Sequence, residues 1–225
     1  MKNLVTIGLP SKGRLKDKSV EFFNKKGLKI LSSYGDRNYF ASIDSKPNIK
    51  IIYLHAKEII QRLSDGTLDI GISGLDLLNE SEKNVQKKIA IKNKLSFGNA
   101  NLVVAVPDDW IDVQTIADLE EVSFDIRNKR NTRLRVATKY PNLTNNFLIS
   151  KGVTQYKLIP SLGATETYPF IGSSEIITDI TSTGKTLQDN NLRVLKDGLI
   201  LKSTACLFVS KKRLSKVSSF TNSLI

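Results

Sequence analysis

The chain has 225 residues, enough for one large domain or two small ones. Its 40% hydrophobic and 25% charged residues have the balance of a folded globular protein with a net charge of +12, and no run of about 18 apolar residues is available to span a membrane. A single cysteine, Cys206, excludes an internal disulfide, and the presence of only one histidine, His55, argues against a Cys/His metal site.

The opening apolar run, Leu4 to Ile7, reads as a strand and is too short for a signal peptide, which points to the cytoplasm. An amphipathic helix is expected over Leu15–Lys26 from its apolar positions at 15, 19/20, 22 and 23. Strands are expected at Tyr39–Ile43 and Ile49–Leu54, followed by a helix over Ala56–Leu63. Asp69–Ser73 reads as a buried strand running into a helix at Leu75. A polar, basic stretch near Lys92–Phe97 suggests a boundary, followed by strands at Asn101–Val106, closed by Pro107, and at Leu134–Thr138. Pro141 suits the first turn of a helix. Strands at Gln155–Ile159, Ile176–Ile180 and Ala205–Ser210 precede a polar C-terminal helix. Strands alternating with helices give an α/β protein, and two lobes with a cleft between them fit the pattern. The expected division is residues 1–92 plus about 196–225 as one lobe and 93–195 as the other.

Several strand ends carry polar turns, where open α/β sheets bind ligands. The most informative is Asp179-Ile180-Thr181-Ser182-Thr183-Gly184-Lys185-Thr186-Leu187. An apolar strand empties there into hydroxyl residues and a glycine before a helix start, so that backbone N–H groups and hydroxyls converge as a phosphate cradle. Asp179 stands at its mouth, where a carboxylate accepts hydrogen bonds from sugar hydroxyls, and the combination suggests a phosphoribosyl group. Thr183-Gly184-Lys185-Thr186 also looks like the end of a nucleotide-binding loop of the type G-x-x-x-x-G-K-[ST]. That loop needs a glycine where Asp179 stands, and a carboxylate there would repel the phosphates. Ser11-Lys12-Gly13-Arg14, between the first strand and first helix, presents two cations around a glycine and favours an anion. Gly71 and Gly74 in Asp69–Asp76 permit close approach of a ligand or of backbone, while Asp76 could simply complement a helix dipole. Ala137–Asn142, which includes Lys139, forms another such turn.

No nucleophile–base pair stands out, which suits a displacement at an activated sugar carbon, where positioning and charge stabilisation do most of the work. The positive charge is open to three readings: solvated lysines, steering of polyanionic small molecules, or nucleic-acid binding. Lysines and arginines are dispersed, and no aromatic residues interleave with them, so no nucleic-acid partner is expected.

Five segments in order resemble the ATP phosphoribosyltransferase family: Leu9–Leu15, Asp69–Asp76, Arg135–Asn142, Gly163–Glu166 and Asp179–Leu187. The resemblance spans nearly the whole chain. It implies a two-lobed fold like type II periplasmic binding proteins with the active site in the interlobe cleft. It also implies transfer of phosphoribosyl from phosphoribosyl pyrophosphate to N1 of ATP, with release of pyrophosphate, the first step of histidine biosynthesis. Asp179, Thr181, Ser182, Thr183, Gly184, Lys185, Thr186 and Glu166 would bind phosphoribosyl pyrophosphate. Lys12, Gly13, Arg14, Gly74, Asp76 and Lys139 would bind ATP, and Arg14 and Arg37 would be catalytic. Magnesium (Mg2+) would be held through substrate phosphates rather than by protein side chains. The family has long and short forms, and with only Lys211–Ile225 after the last expected strand the chain resembles the short form. Short forms work with a regulatory subunit resembling histidyl-tRNA synthetase, which implies homodimers within a hetero-octamer. Two features depart from the family: the polar segment Phe170–Glu175, and His55 where many members carry arginine. A non-catalytic soluble small-molecule binding protein of the same two-lobe fold is the alternative.

Overall fold

Strands that are covered on both faces read as continuous apolar runs, and β1 (Val5–Pro10) and β5 (Ile70–Gly74) are of that kind, with nearly every side chain buried. A computed structural model describes residues 4–32 and 39–224. The chain divides into two compact units: Met1–Asn99 with Thr204–Ile225, and Ala100–Ser203.

The first unit is built on a seven-stranded sheet in the order β2-β3-β4-β1-β5-β12-β6. Its strands are β1, β2 (Ile30–Ser32), β3 (Phe40–Ile43), β4 (Lys46–Leu54), β5, β6 (Ile89–Lys94) and, from the far end of the chain, β12 (Ala205–Ser210). β1 runs parallel to β4 and β5, whereas β12 is antiparallel to both β5 and β6. Its helices are α1 (Gly13–Lys25), α2 (Ala56–Asp65), α3 (Leu75–Glu80), α4 (Lys83–Gln86) and α8 (Leu214–Leu224). The stretch expected to be a boundary near Lys92 therefore begins inside a strand, because β6 finds its partner in β12. Helix α8 is tied down by an ion cluster. Asp69, 2% exposed, accepts from the Thr6 N–H at 2.8 Å, the Thr6 hydroxyl at 3.0 Å and Lys216 Nζ at 2.8 Å.

The second unit carries a five-stranded sheet in the order β11-β7-β10-β8-β9. Its strands are β7 (Ala100–Pro107), β8 (Leu134–Thr138), β9 (Tyr156–Pro160), β10 (Ile176–Thr181) and β11 (Leu192–Ser203). β8, β9 and β10 are parallel, so their C-terminal ends, at Thr138, Pro160 and Thr181, leave the sheet on one side. Helices α5 (Ile116–Arg130), α6 (Pro141–Ser150) and α7 (Lys185–Gln188) complete the unit. Ile116, Leu119 and Leu148 pack with Val104, Val136 and Ile176 in one core. α5 starts on a capping box: the Thr115 hydroxyl accepts from the Asp118 N–H, and the Asp118 carboxylate accepts from the Thr115 N–H at 2.8 Å. β11 pairs with β7 along its length, so residues up to Ser203 belong to this unit.

At the N-terminal ends of β8 and β10, Arg135 and Glu175 form a forked pair. Arg135 Nη2 donates to Glu175 Oε1 at 2.6 Å and the Arg135 N–H to Oε2 at 2.7 Å. Glu175 thus has a structural partner within the polar segment Phe170–Glu175. Burial pushes the Glu175 carboxyl up, but the guanidinium and the N–H overcome it and hold the group below its ordinary value. A depressed carboxyl stabilises the folded chain above its unfolded pKa, and that contribution is lost as pH falls through the folded one. Glu175→Gln is therefore expected to lower stability by about 1–2 kcal/mol at pH 7, with the deficit closing below about pH 4. Urea denaturation at several pH values measures it, and a deficit that persists unchanged to pH 3 would contradict the assignment.

Candidate active site

In the second unit, three parallel strand ends carry Lys139, the Ser161–Glu166 turn and the Asp179–Thr186 loop. β10 ends at Thr181, and the loop turns at Gly184 into α7. Gly184 has φ +78°, a left-handed backbone that glycine takes without steric cost, and nothing lies within 4 Å of where a Cβ would stand. Glycine is needed here for conformation rather than for space. The Gly184 N–H donates to the Thr181 hydroxyl at 2.9 Å and the Lys185 N–H to the Thr183 hydroxyl at 3.4 Å, so the loop holds itself open in the free protein. Ser182, Thr183, Lys185 and Thr186 are exposed, while Leu187 is buried and anchors the turn. α7 has only four residues, so its axial dipole is small.

Asp179 is 9% exposed in β10. Its Oδ1 accepts from the Ile180 N–H at 2.8 Å, and Lys139 Nζ, from the end of β8, lies 3.9 Å from its Oδ2. Burial is the largest influence on the carboxyl and raises its pKa. Lys139, the Ile180 N–H and a hydrogen bond from Thr165 oppose that rise, and the charge of Glu166 adds to it. Glu166 belongs to a short 3-10 turn, Thr165–Thr167, entered through Ala164 in a left-handed conformation at φ +41°. The sequence reading included Glu166 and passed over Thr165, which is fully buried, joins the Ser161 hydroxyl at 2.9 Å and supports Asp179. Its signal was its place beside Glu166 in Gly163–Glu166.

The first unit presents its own strand-end turns. Lys12 caps α1 with extended backbone, and Lys12, Gly13 and Arg14 are all exposed beyond the end of β1. Gly74 ends β5, and a Cβ there would meet Asp76 Oδ1 at 2.2 Å, so the glycine makes room for the folded-back carboxylate. Asp76 is 6% exposed. Arg37 lies outside the described residues. His55 caps α2, its Nδ1 accepting from the Lys57 N–H at 3.3 Å, which is a structural use. Cys206 is buried in β12, and burial pushes its thiol up to about 11, far from a reactive thiolate. Among the described residues, no group of three or more His, Cys, Asp or Glu side chains is placed to hold a metal ion, and no helix is long and apolar enough to cross a membrane.

A buried carboxyl with a raised pKa weakens the folded state as it ionises. The unfolded chain loses its proton first as pH rises through the carboxylate range, and the cost then stays constant above the folded pKa. Asp179→Asn is therefore expected to raise the melting temperature of the free protein by on the order of 1–3 °C at pH 7.5, with the gain shrinking as pH falls through the folded pKa and gone below about pH 4. Calorimetry decides it: a lowered melting temperature at pH 7.5 would mean that the charge is needed for folding rather than for a ligand.

The family model described as HisG: ATP phosphoribosyltransferase matches residues 55–225. An ATP phosphoribosyltransferase of Chelativorans sp. (strain BNC1) is 47% identical over 210 residues, covering 93% of this chain and 91% of that protein. Among solved structures, the ATP phosphoribosyl transferase (HisG:HisZ) complex from Thermotoga maritima aligns with a TM-score of 0.74 at 26% identity, over 98% of this chain and 96% of that one. A probable amino-acid ABC transporter extracellular-binding protein of Bacillus subtilis aligns with a TM-score of 0.57 at 13% identity, over 98% of this chain and 88% of that one, a likeness of fold alone. The fold is that of the type II periplasmic binding proteins. The chain belongs to the ATP phosphoribosyltransferase family.

Proposed function

We propose that this member of the ATP phosphoribosyltransferase family joins N1 of ATP to the anomeric carbon of phosphoribosyl pyrophosphate and releases pyrophosphate, as the short-form catalytic subunit of the first step of histidine biosynthesis. Beyond family membership, the observation that supports it is the nearly buried Asp179 beside an exposed hydroxyl- and N–H-lined loop. The Asp179 carboxylate accepts hydrogen bonds from the ribose hydroxyls, which replace solvent around a group that burial leaves short of partners. Thr181, Ser182, Thr183, Gly184, Lys185 and Thr186 receive the 5′-phosphate, and Glu166 lies near the sugar. Lys139, Lys12, Gly13, Arg14, Gly74 and Asp76 are the proposed ATP contacts.

The reaction forms the N1–C1′ bond as the C1′–O bond to pyrophosphate breaks, and pyrophosphate departs with the electron pair. Adenine N1 supplies its own lone pair, so no side-chain nucleophile is required. Arg14 and Arg37 are assigned to the charge that grows on the leaving group. Phosphoribosyl pyrophosphate enters as its magnesium complex, the metal adding positive charge to the departing oxygens. The +12 charge favours arrival of two polyphosphorylated substrates. The proposed setting is the cytoplasm, where both substrates are made. The solved relative in a HisG:HisZ complex supports a regulatory partner, which we assign as a histidyl-tRNA synthetase-like subunit in a hetero-octamer built on homodimers.

Mixing the chain with ATP, phosphoribosyl pyrophosphate and magnesium is expected to produce N1-modified adenine, followed by its ultraviolet absorbance. Asp179→Asn should weaken phosphoribosyl pyrophosphate about ten- to a hundredfold and leave ATP nearly unchanged. Arg14→Ala should lower kcat more than it raises either KM. No product from the wild-type chain, with or without the partner, would reject the reading. Histidine is expected to inhibit only when the synthetase-like partner is added, because feedback needs a second site coupled to the first. Saturable inhibition of the isolated chain by sub-millimolar histidine, non-competitive with both substrates, would overturn that expectation.

A further inference from the structure

Behind the strands that carry Lys139 and Asp179 lies a closed ring of three hydroxyls. Thr138 ends β8, Thr178 is its register partner in β10, and Thr144 is in the first turns of α6. All three are buried, at 1%, 0% and 0% exposed. Thr178 Oγ1 donates to Thr138 Oγ1 at 2.6 Å, Thr144 Oγ1 lies 2.6 Å from Thr178 Oγ1, and Thr138 Oγ1 lies 3.2 Å from Thr144 Oγ1. With Thr178 donating to Thr138, the ring closes in one direction: Thr138 donates to Thr144 and Thr144 to Thr178, so each hydroxyl gives one proton and takes one. Thr138 Oγ1 also accepts from the Tyr140 N–H at 2.9 Å, which fixes the backbone immediately after Lys139. Hydroxyls linked in this way polarise one another in the dry interior.

Hydrogen bonds also tie the strand end that carries Thr138 to the turn beside the carboxylate. The Ser161 N–H donates to the Thr138 carbonyl at 2.9 Å, the Ser161 and Thr165 hydroxyls meet at 2.9 Å, and Thr165 stands close enough to Asp179 to help stabilise its charge. Asp179 directly follows the ring residue Thr178 in β10, and side chains alternate along a strand, so the ring grips one face of the sheet while Asp179 projects from the other, and Lys139 follows Thr138 just past the end of β8. A strand shift at the ring therefore moves Lys139, Asp179 and Thr165 together.

We propose that Thr144, through this ring, is a positioning residue for phosphoribosyl pyrophosphate although it touches no substrate. The inference rests on the binding role given above to Asp179. Its chemistry is specific: the hydroxyl matters, and the methyl group fills space. Thr144→Val keeps the volume and removes the hydroxyl, whereas Thr144→Ser keeps the hydroxyl and removes the methyl.

Binding of magnesium phosphoribosyl pyrophosphate by titration calorimetry, with KM for both substrates, tests it. Thr144→Val is expected to weaken phosphoribosyl pyrophosphate about five- to tenfold with the KM for ATP within about twofold of wild type, while Thr144→Ser binds like wild type despite an equal or larger drop in melting temperature. A purely structural role predicts that affinity follows melting temperature, with Ser as harmful as Val, and that result overturns the proposal. Unchanged affinity in Thr144→Val overturns it as well. If Thr144→Val does not fold, Thr178→Val breaks the ring at another corner and carries the same expectation. A wild-type chain that binds no phosphoribosyl pyrophosphate instead sinks the role of Asp179 and the ring's function with it, whereas a wild-type chain that binds it, with Thr144→Val unchanged or Thr144→Ser as weak as Thr144→Val, sinks the ring alone.

Discussion

The second unit is organised around a carboxylate that its surroundings barely tolerate. Asp179 is almost out of water, with one backbone N–H, a lysine 3.9 Å away and a threonine hydroxyl to sustain its charge, and with Glu166 working against it. Left alone, such a group tends toward its neutral form. The free protein accepts that cost, and the ribose diol proposed to bind there would relieve it. Stability and binding thus draw on the same atoms, which is the usual relation at sites where a folded chain holds a group ready for a partner it does not yet have.

Sheet geometry decides where that carboxylate can stand. Because β8, β9 and β10 are parallel, their last residues emerge on one side, and Lys139, Ser161–Glu166 and Thr181–Thr186 follow them directly. At the opposite ends of β8 and β10, the Arg135–Glu175 fork secures the register. A depression of about 680 Å³ near that fork, lined by Trp110, Phe170 and Glu175 among others, contains none of the loop residues. The two ends of the strands therefore differ: charge pairing holds one, and the other carries the nearly buried Asp179 beside an exposed hydroxyl loop.

Much of this could be read in the chain because the signals were local. The apolar runs of β1, β5, β10 and β12 and the polar turns after them needed no knowledge of neighbours, and Asp179 with Thr181–Thr186 stood out by composition. Some local signals were passed over. Thr115 and Asp118 have the spacing of a capping box, and Ile116, Leu119, Val122 and Ile126 recur at three- and four-residue steps, but the interleaved charges and the exposed Phe124 blur the helical period of α5. β6 and β11 escaped for a different reason: both carry many polar residues, and only a partner strand distant in sequence makes them strands. Thr138, Thr144 and Thr178 are unremarkable residues until three elements meet, and Asp69 gave no hint that it would hold Lys216, 147 positions away.

The strand order of the first unit has a bearing on how the chain is made. β12 lies between β5 and β6, and it leaves the ribosome roughly 110 residues after β6 ends at Lys94, about 5 to 20 seconds later at ordinary rates of synthesis. During that interval β5 and β6 each lack the neighbour that will join them, so two strands have unpaired edges while the whole of Ala100–Ser203 is being translated. The inserted unit has all five of its strands before β12 emerges and can fold ahead of the unit that began first. The nascent N-terminal segment therefore waits with those edges open, and a pause in translation between Lys94 and Ala205 lengthens the wait.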